Sequence, residues 1–73
     1  MKELRVLNAV KIERARRGDM TQTALAQAVG VTRQTMNLIE AQKFNPTIKV
    51  CLQIAAVLEV SIEKLFWIAG EDE

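Results

Sequence analysis

Three residues with planar, two-pronged hydrogen-bonding groups stand within five positions of one another: Arg33, Gln34 and Asn37. A guanidinium fork matches the N7 and O6 acceptors of guanine, and a carboxamide matches the donor and acceptor of adenine. At spacings of one, three and four residues the three side chains share one face of a helix. Thr32 and Thr35 add short hydroxyls suited to phosphate oxygens or a thymine methyl. Gln22 falls just inside the start of an earlier helix, where unpaired backbone N–H groups favour an approaching phosphate. Lys43, past the end of the Arg33 helix, supplies charge without sequence information. Bond-breaking chemistry has no comparable support. The chain has no histidine, no nucleophile paired with a base, no cluster of metal ligands and no phosphate-cradling glycine loop. An enzyme is therefore not expected, and neither a cofactor nor a metal is predicted.

Those side chains need a helix that projects from the surface, and the local signals provide one. Thr21 caps a helix with the apolar stripe Leu25, Ala26 and Val29, and Gly30 ends it by tolerating the left-handed conformation. Thr32 opens the next helix, with Met36, Ile39 and Glu40 on its inner side and its end near Ala41. A short glycine-containing connection sets two such helices at roughly 90–120°. Residues 21–41 thus read as a helix-turn-helix.

The flanking segments read as its support. Leu4 and Val6 alternate with Arg5 and Leu7 as in a short strand, Asn8 is expected to cap a helix over 9–17, and Gly18-Asp19 ends it. Asn45-Pro46-Thr47 is a turn and cap before the most apolar segment, where Ile48, Val50, Leu52, Ile54, Ala55 and Leu58 predict the central core helix. Ser61 caps a last helix over Ile62–Phe66. The short apolar stretches Leu4–Leu7 and Phe66–Ile68 predict a small antiparallel sheet joining the chain ends.

At 73 residues, with 49% hydrophobic and 4% aromatic residues, the chain is one mainly helical domain. Its core is centred on residues 9–66. A chain this short buries only about 60% of its unfolded surface, so support from a second subunit is expected. Leu65, Phe66, Trp67 and Ile68 are the predicted dimer seam, being too apolar to hide entirely in so small a core. The net charge is only +1, but residues 1–43 hold eight Lys or Arg against four acids and residues 44–73 hold two Lys against five. One end can face phosphates while the other avoids them. Cys51, the single cysteine, reads as a small buried hydrophobe. Without a disulfide framework, a membrane span or a signal segment, the expected compartment is the cytoplasm. The acidic residues 71–73 are expected to fray and to solubilise the chain end.

Taken in order, Thr21-Gln22, Leu25-Ala26, Gly30-Val31-Thr32-Arg33-Gln34-Thr35, Ile39-Glu40, Lys43-Phe44-Asn45-Pro46 and Val60 to Phe66 resemble the Cro/C1 (Xre) family of helix-turn-helix proteins. The resemblance covers about residues 9–66. It implies a five-helix, lambda-repressor-like bundle whose third helix enters the major groove, used as a homodimer on a palindromic operator of double-stranded DNA. It further implies an ion pair between Arg14 and Glu40. The chain departs from the family pattern at three places. Ala24 stands where a capping-box Glu is usual, Ala41-Gln42 replaces an Asn-Gly, and Asp19 lengthens the first turn. A regulator whose main partner is another protein, such as an antitoxin, is the rival expectation.

Overall fold

The computed structural model describes residues 4–70, in the order β1 (Leu4–Asn8), α1 (Val10–Arg16), α2 (Gln22–Val29), α3 (Arg33–Glu40), α4 (Ile48–Leu58), α5 (Ile62–Leu65) and β2 (Phe66–Gly70). Residues 71–73, the expected acidic tail, lie outside the described residues. The fold is the predicted five-helix bundle with a two-stranded antiparallel sheet, in the register Leu4↔Gly70, Arg5↔Ala69, Val6↔Ile68, Leu7↔Trp67 and Asn8↔Phe66. Among the described residues no helix is long and apolar enough to cross a membrane.

Threonine caps set the helix starts. The hydroxyl oxygens of Thr21, Thr32 and Thr47 accept from the backbone N–H groups of Ala24 (3.0 Å), Thr35 (3.0 Å) and Val50 (3.2 Å), satisfying donors that have no partner within the helix. Three helices end alike, each with a left-handed residue and a backbone bond that reaches back five positions. Gly30 (φ 77°), Gln42 (φ 63°) and Glu59 (φ 57°) take the left-handed position. The bonds run from Val31 N–H to the Ala26 carbonyl (3.0 Å), Lys43 N–H to Leu38 (2.9 Å) and Val60 N–H to Ala55 (3.1 Å). Only the first of these positions is a glycine.

The first helix differs in detail from expectation. It spans Val10–Arg16 and is preceded by Ala9, whose methyl side chain cannot cap. Asn8 closes β1 instead, yet still caps at one remove. Its Oδ1 accepts from Val10 N–H (3.1 Å), while its Nδ2 donates to the Ile39 carbonyl (2.9 Å), tying the strand to the end of α3. Ser61 makes no side-chain capping bond, and Phe66 begins β2 rather than ending α5.

Val10, Leu25, Ala26, Val29, Met36, Ile54, Ala55, Leu58 and Leu65 form the core, with Ile39 and Cys51 also buried. Each large side chain fully buried there contributes about 1.5–3 kcal/mol. Two corrections concern α4. Ile48 and Leu52, expected inside, are 68% and 52% exposed. The inward arc of α4 is defined by Cys51, Ile54, Ala55 and Leu58, and Leu52 lies about 100° around the helix from Cys51. A third correction concerns the predicted seam. Leu65 has no exposed surface and belongs to the core, because α5 turns it inward beneath α4.

Candidate nucleic-acid interface

Helix α3 divides into two faces. Met36 and Ile39, three residues apart, are buried, whereas Arg33, Gln34 and Asn37 are exposed on another side. Burying one stripe fixes which side chains point outward, so the three two-pronged groups are presented without a competing partner among the described hydrogen bonds. The preceding helix is locked against α3 by the Gly30 turn.

Three helices are held in register by one carboxylate. Glu40, at the end of α3, accepts at Oε2 from Arg14 Nε (2.8 Å) and at Oε1 from Arg14 Nη2 (3.0 Å) and Gln22 Nε2 (3.0 Å). Arg14 Nη1 also donates to the Met20 carbonyl (2.7 Å), which fixes the loop leading into α2. The side chains of Arg14 and Glu40 are 15% and 4% exposed. Two parallel charge-assisted bonds fix a directional geometry, and at that burial the loss of either partner would leave the other charge stranded out of water. The hydrogen bonds to Glu40 hold the Arg14 guanidinium above its ordinary pKa, against the smaller opposing effect of burial and with added help from the carboxylate's charge. One proton on Gln22 Nε2 is engaged by Glu40, so the second proton and the amide oxygen are what Gln22 can present outward.

A shallow open depression of about 160 Å³ lies where α2 and α3 meet the start of α1, lined by Lys11, Gln22, Asn37, Glu40 and Ala41. It brings together Gln22 and Asn37, which the sequence had marked for phosphate and base. It also adds Lys11, which the sequence reading missed. Arg33 and Gln34 sit a turn away, at the start of α3. Thr32 and Thr35 flank that start, and their hydroxyls are joined (3.0 Å) with Thr32 as donor. Thr32 thus engages both the backbone N–H and the hydroxyl of Thr35. Lys43 is exposed in the turn after α3, and its backbone N–H closes that turn.

Of the residues placed at the seam, Phe66 is half-buried against the core, and Trp67 and Ile68 are 42% and 63% exposed. A second apolar group was not foreseen as a surface: Phe44, in the loop before α4, is 48% exposed and precedes the exposed Ile48 and Leu52 at four-residue steps. Cys51 is buried, and burial pushes its thiol pKa up despite an opposing backbone hydrogen bond. This fits a packing residue rather than a reactive one.

Two short capped helices, a left-handed glycine between them and a second helix with an outward polar face define a helix-turn-helix protein. The helix-turn-helix family profile matches residues 10–65, and the chain belongs to this family, in its Cro/C1-type branch. It is similar to an uncharacterized HTH-type transcriptional regulator of Archaeoglobus fulgidus, with 44% identity over 55 residues that cover 75% of this chain and 76% of the relative. It is also similar to the uncharacterized HTH-type transcriptional regulator YgzD of Bacillus subtilis, with 38% identity over 65 residues covering 89% and 97%. Among solved structures, the transcriptional regulator VanUg superposes with a TM-score of 0.72 over 97% of this chain and 93% of that one, at 22% identity, a likeness of fold.

Proposed function

We propose that this protein is a sequence-specific DNA-binding transcriptional regulator, acting as a repressor by occupying its site in the cytoplasm. The observation that carries the reading is the exposed face of α3, with Arg33, Gln34 and Asn37 outward on a helix clamped through Glu40 to Arg14 and Gln22. In this reading α3 enters the major groove. Arg33, Gln34 and Asn37 contact base edges, and Gln22, Thr32, Thr35 and Lys43 contact phosphates. Lys11 joins the phosphate set because it lines the same depression as Gln22 and Asn37. One eight-residue helix reads only a few base pairs, so a homodimer on a palindromic operator, with half-sites one helical turn apart, supplies the rest of the specificity. Phe66, Trp67 and Ile68 remain the proposed seam.

Selection of bound duplexes from a random library tests this. A palindromic winner with its half-sites about 10 base pairs apart is expected. Absence of an enriched sequence would overturn the reading.

One observation favours a second reading, in which the principal partner is another protein. The exposed Ile48 and Leu52, one turn apart on α4, and the exposed Phe44 in the loop before it belong to neither helix of the DNA-reading pair. Copurification of a stoichiometric second polypeptide that binds through Ile48 and Leu52 would favour it.

A further inference from the structure

The last residue of β1 joins three elements. Asn8 pairs with Phe66 at the end of the sheet, and the next backbone N–H, that of Ala9, donates to the Leu65 carbonyl (2.9 Å). The Asn8 side chain is half-buried, and both ends of its carboxamide are engaged. Oδ1 accepts from Val10 N–H at the start of α1 (3.1 Å), and Nδ2 donates to the Ile39 carbonyl near the end of α3 (2.9 Å), 31 positions away. That carbonyl has acceptor capacity to spare. In a continuing helix it would accept from Lys43 N–H, but the left-handed turn at Gln42 sends that N–H back to Leu38 (2.9 Å), which leaves Ile39 the Gln42 N–H (3.0 Å). A donor from outside is favoured there, because the aligned peptide dipoles make this end of the helix negative.

We infer that Asn8 is a positioning residue for base reading: through the Ile39 carbonyl it sets the rotation of α3 that aims Arg33, Gln34 and Asn37. This rests on the proposed entry of α3 into the major groove and names what holds its aim. Arg14 grips the adjacent residue, Glu40, but does so between two long side chains. One such grip leaves the helix able to turn about it. A second, on the backbone of the neighbouring residue, removes that freedom, and Asn8 is the stiffer link because its side chain is short and its own backbone is fixed in the sheet. The lever is long. Arg33 stands six residues before Ile39, about 9 Å along the helix, so a swing of about 5° at the Ile39 end moves it by about 0.8 Å. Hydrogen-bond lengths span only about 0.5 Å, so such a shift breaks a two-pronged contact to a base. Lys11 and Lys43, point charges on flexible stems, tolerate the same shift against phosphate. Losing the Asn8 tether therefore lowers discrimination and spares non-specific binding.

The experiment titrates the full chain with the duplex selected from a random library, with the same duplex carrying one mismatched base pair, and with random duplex. Asn8→Ser keeps an oxygen that can cap Val10 N–H and adds no charge, but it cannot reach Ile39. Asn8→Asp keeps the shape and the cap and loses the donor; it adds a charge, so only its ratio of affinities is read. Ile54→Val, a change in the core, controls for lost stability, and thermal unfolding shows which variants are folded at the titration temperature. In both Asn8 variants the preference for the selected over the mismatched duplex is expected to fall about tenfold or more, the worth of roughly one two-pronged contact. Ile54→Val should keep the wild-type ratio, and Asn8→Ser should keep the wild-type affinity and salt slope on random duplex. An unchanged ratio in the Asn8 variants, an equal fall in Ile54→Val, or failure of both Asn8 variants to fold overturns the assignment and leaves base reading by α3 standing. A wild type that enriches no duplex overturns that reading, and the assignment with it.

Discussion

Glu40 and Arg14, 26 positions apart in the chain, meet through two bonds, Nε to Oε2 at 2.8 Å and Nη2 to Oε1 at 3.0 Å, with the carboxylate 4% exposed. Removing one partner leaves the other charge uncompensated. Arg14→Ala is expected to destabilise the fold by about 3 kcal/mol, at the lower end for a buried pair because Arg14 keeps some solvent. Arg14→Met combined with Glu40→Leu should cost less than the two single changes together, and urea denaturation of the four proteins measures that coupling. The folded-state pKa of Arg14 is raised, so its contribution is complete below the ordinary arginine pKa and is lost only as pH rises through the still higher folded value. The arginine side of the pair should therefore give no slope of stability with pH between about 5 and 9.

Gln42 ends α3 at φ 63°, a position the family usually gives to glycine. A side chain there costs about 1–2 kcal/mol of steric strain, of which glycine's greater freedom in the unfolded chain returns a part. Gln42→Gly should raise stability by about 0.5–1 kcal/mol without altering DNA preference. A thermal unfolding scan checks the first part, and an unchanged ratio of affinities for two duplexes checks the second.

Base-reading and phosphate-holding residues should separate by their effects. Arg33→Ala and Gln34→Ala should each reduce discrimination between the preferred and a mismatched duplex by about 1–3 kcal/mol. Lys43→Ala and Lys11→Ala should weaken both duplexes alike and lower the salt slope of binding by about one charge each. Fluorescence anisotropy titrations at several salt concentrations give both quantities. Equal losses on specific and random DNA from Arg33→Ala would remove it from the reading set.

Burial raises the Cys51 thiol pKa, so the folded state favours the protonated form. That contribution is complete below the ordinary thiol pKa of about 8.5 and is lost as pH rises through the folded value. Stability should therefore decline above about pH 9 more steeply in the wild type than in Cys51→Ala, as read by denaturation midpoints across the alkaline range. Alkylation of Cys51 should likewise be slow until the protein unfolds.

Local chemistry was legible and long-range placement was not. Thr21, Thr32 and Thr47 announce helix starts because a threonine hydroxyl two or three residues from a free N–H needs nothing else to cap it. Gly30 marks a helix end on the same footing, and the alternating apolar ends allowed β1 and β2 to be paired. Gln42 and Glu59 end helices without glycine, so the same signal was silent there. The buried Leu65 and the exposed Ile48 and Leu52 are all aliphatic, and residue type alone does not say which of them a neighbouring helix covers. Lys11 escaped notice for a related reason. Its place beside Asn37 depends on how α1 is docked by Arg14 on Glu40, a contact between distant parts of the chain.

The most direct test of the account is the ratio of affinities for the selected duplex and a scrambled duplex of equal length, measured at one fixed, near-physiological salt concentration. A reader that uses Arg33, Gln34 and Asn37 predicts a preference of about a thousandfold or more. A ratio near one, with both affinities falling together as salt is raised, would contradict it and leave only the non-specific attraction of a basic surface for phosphate.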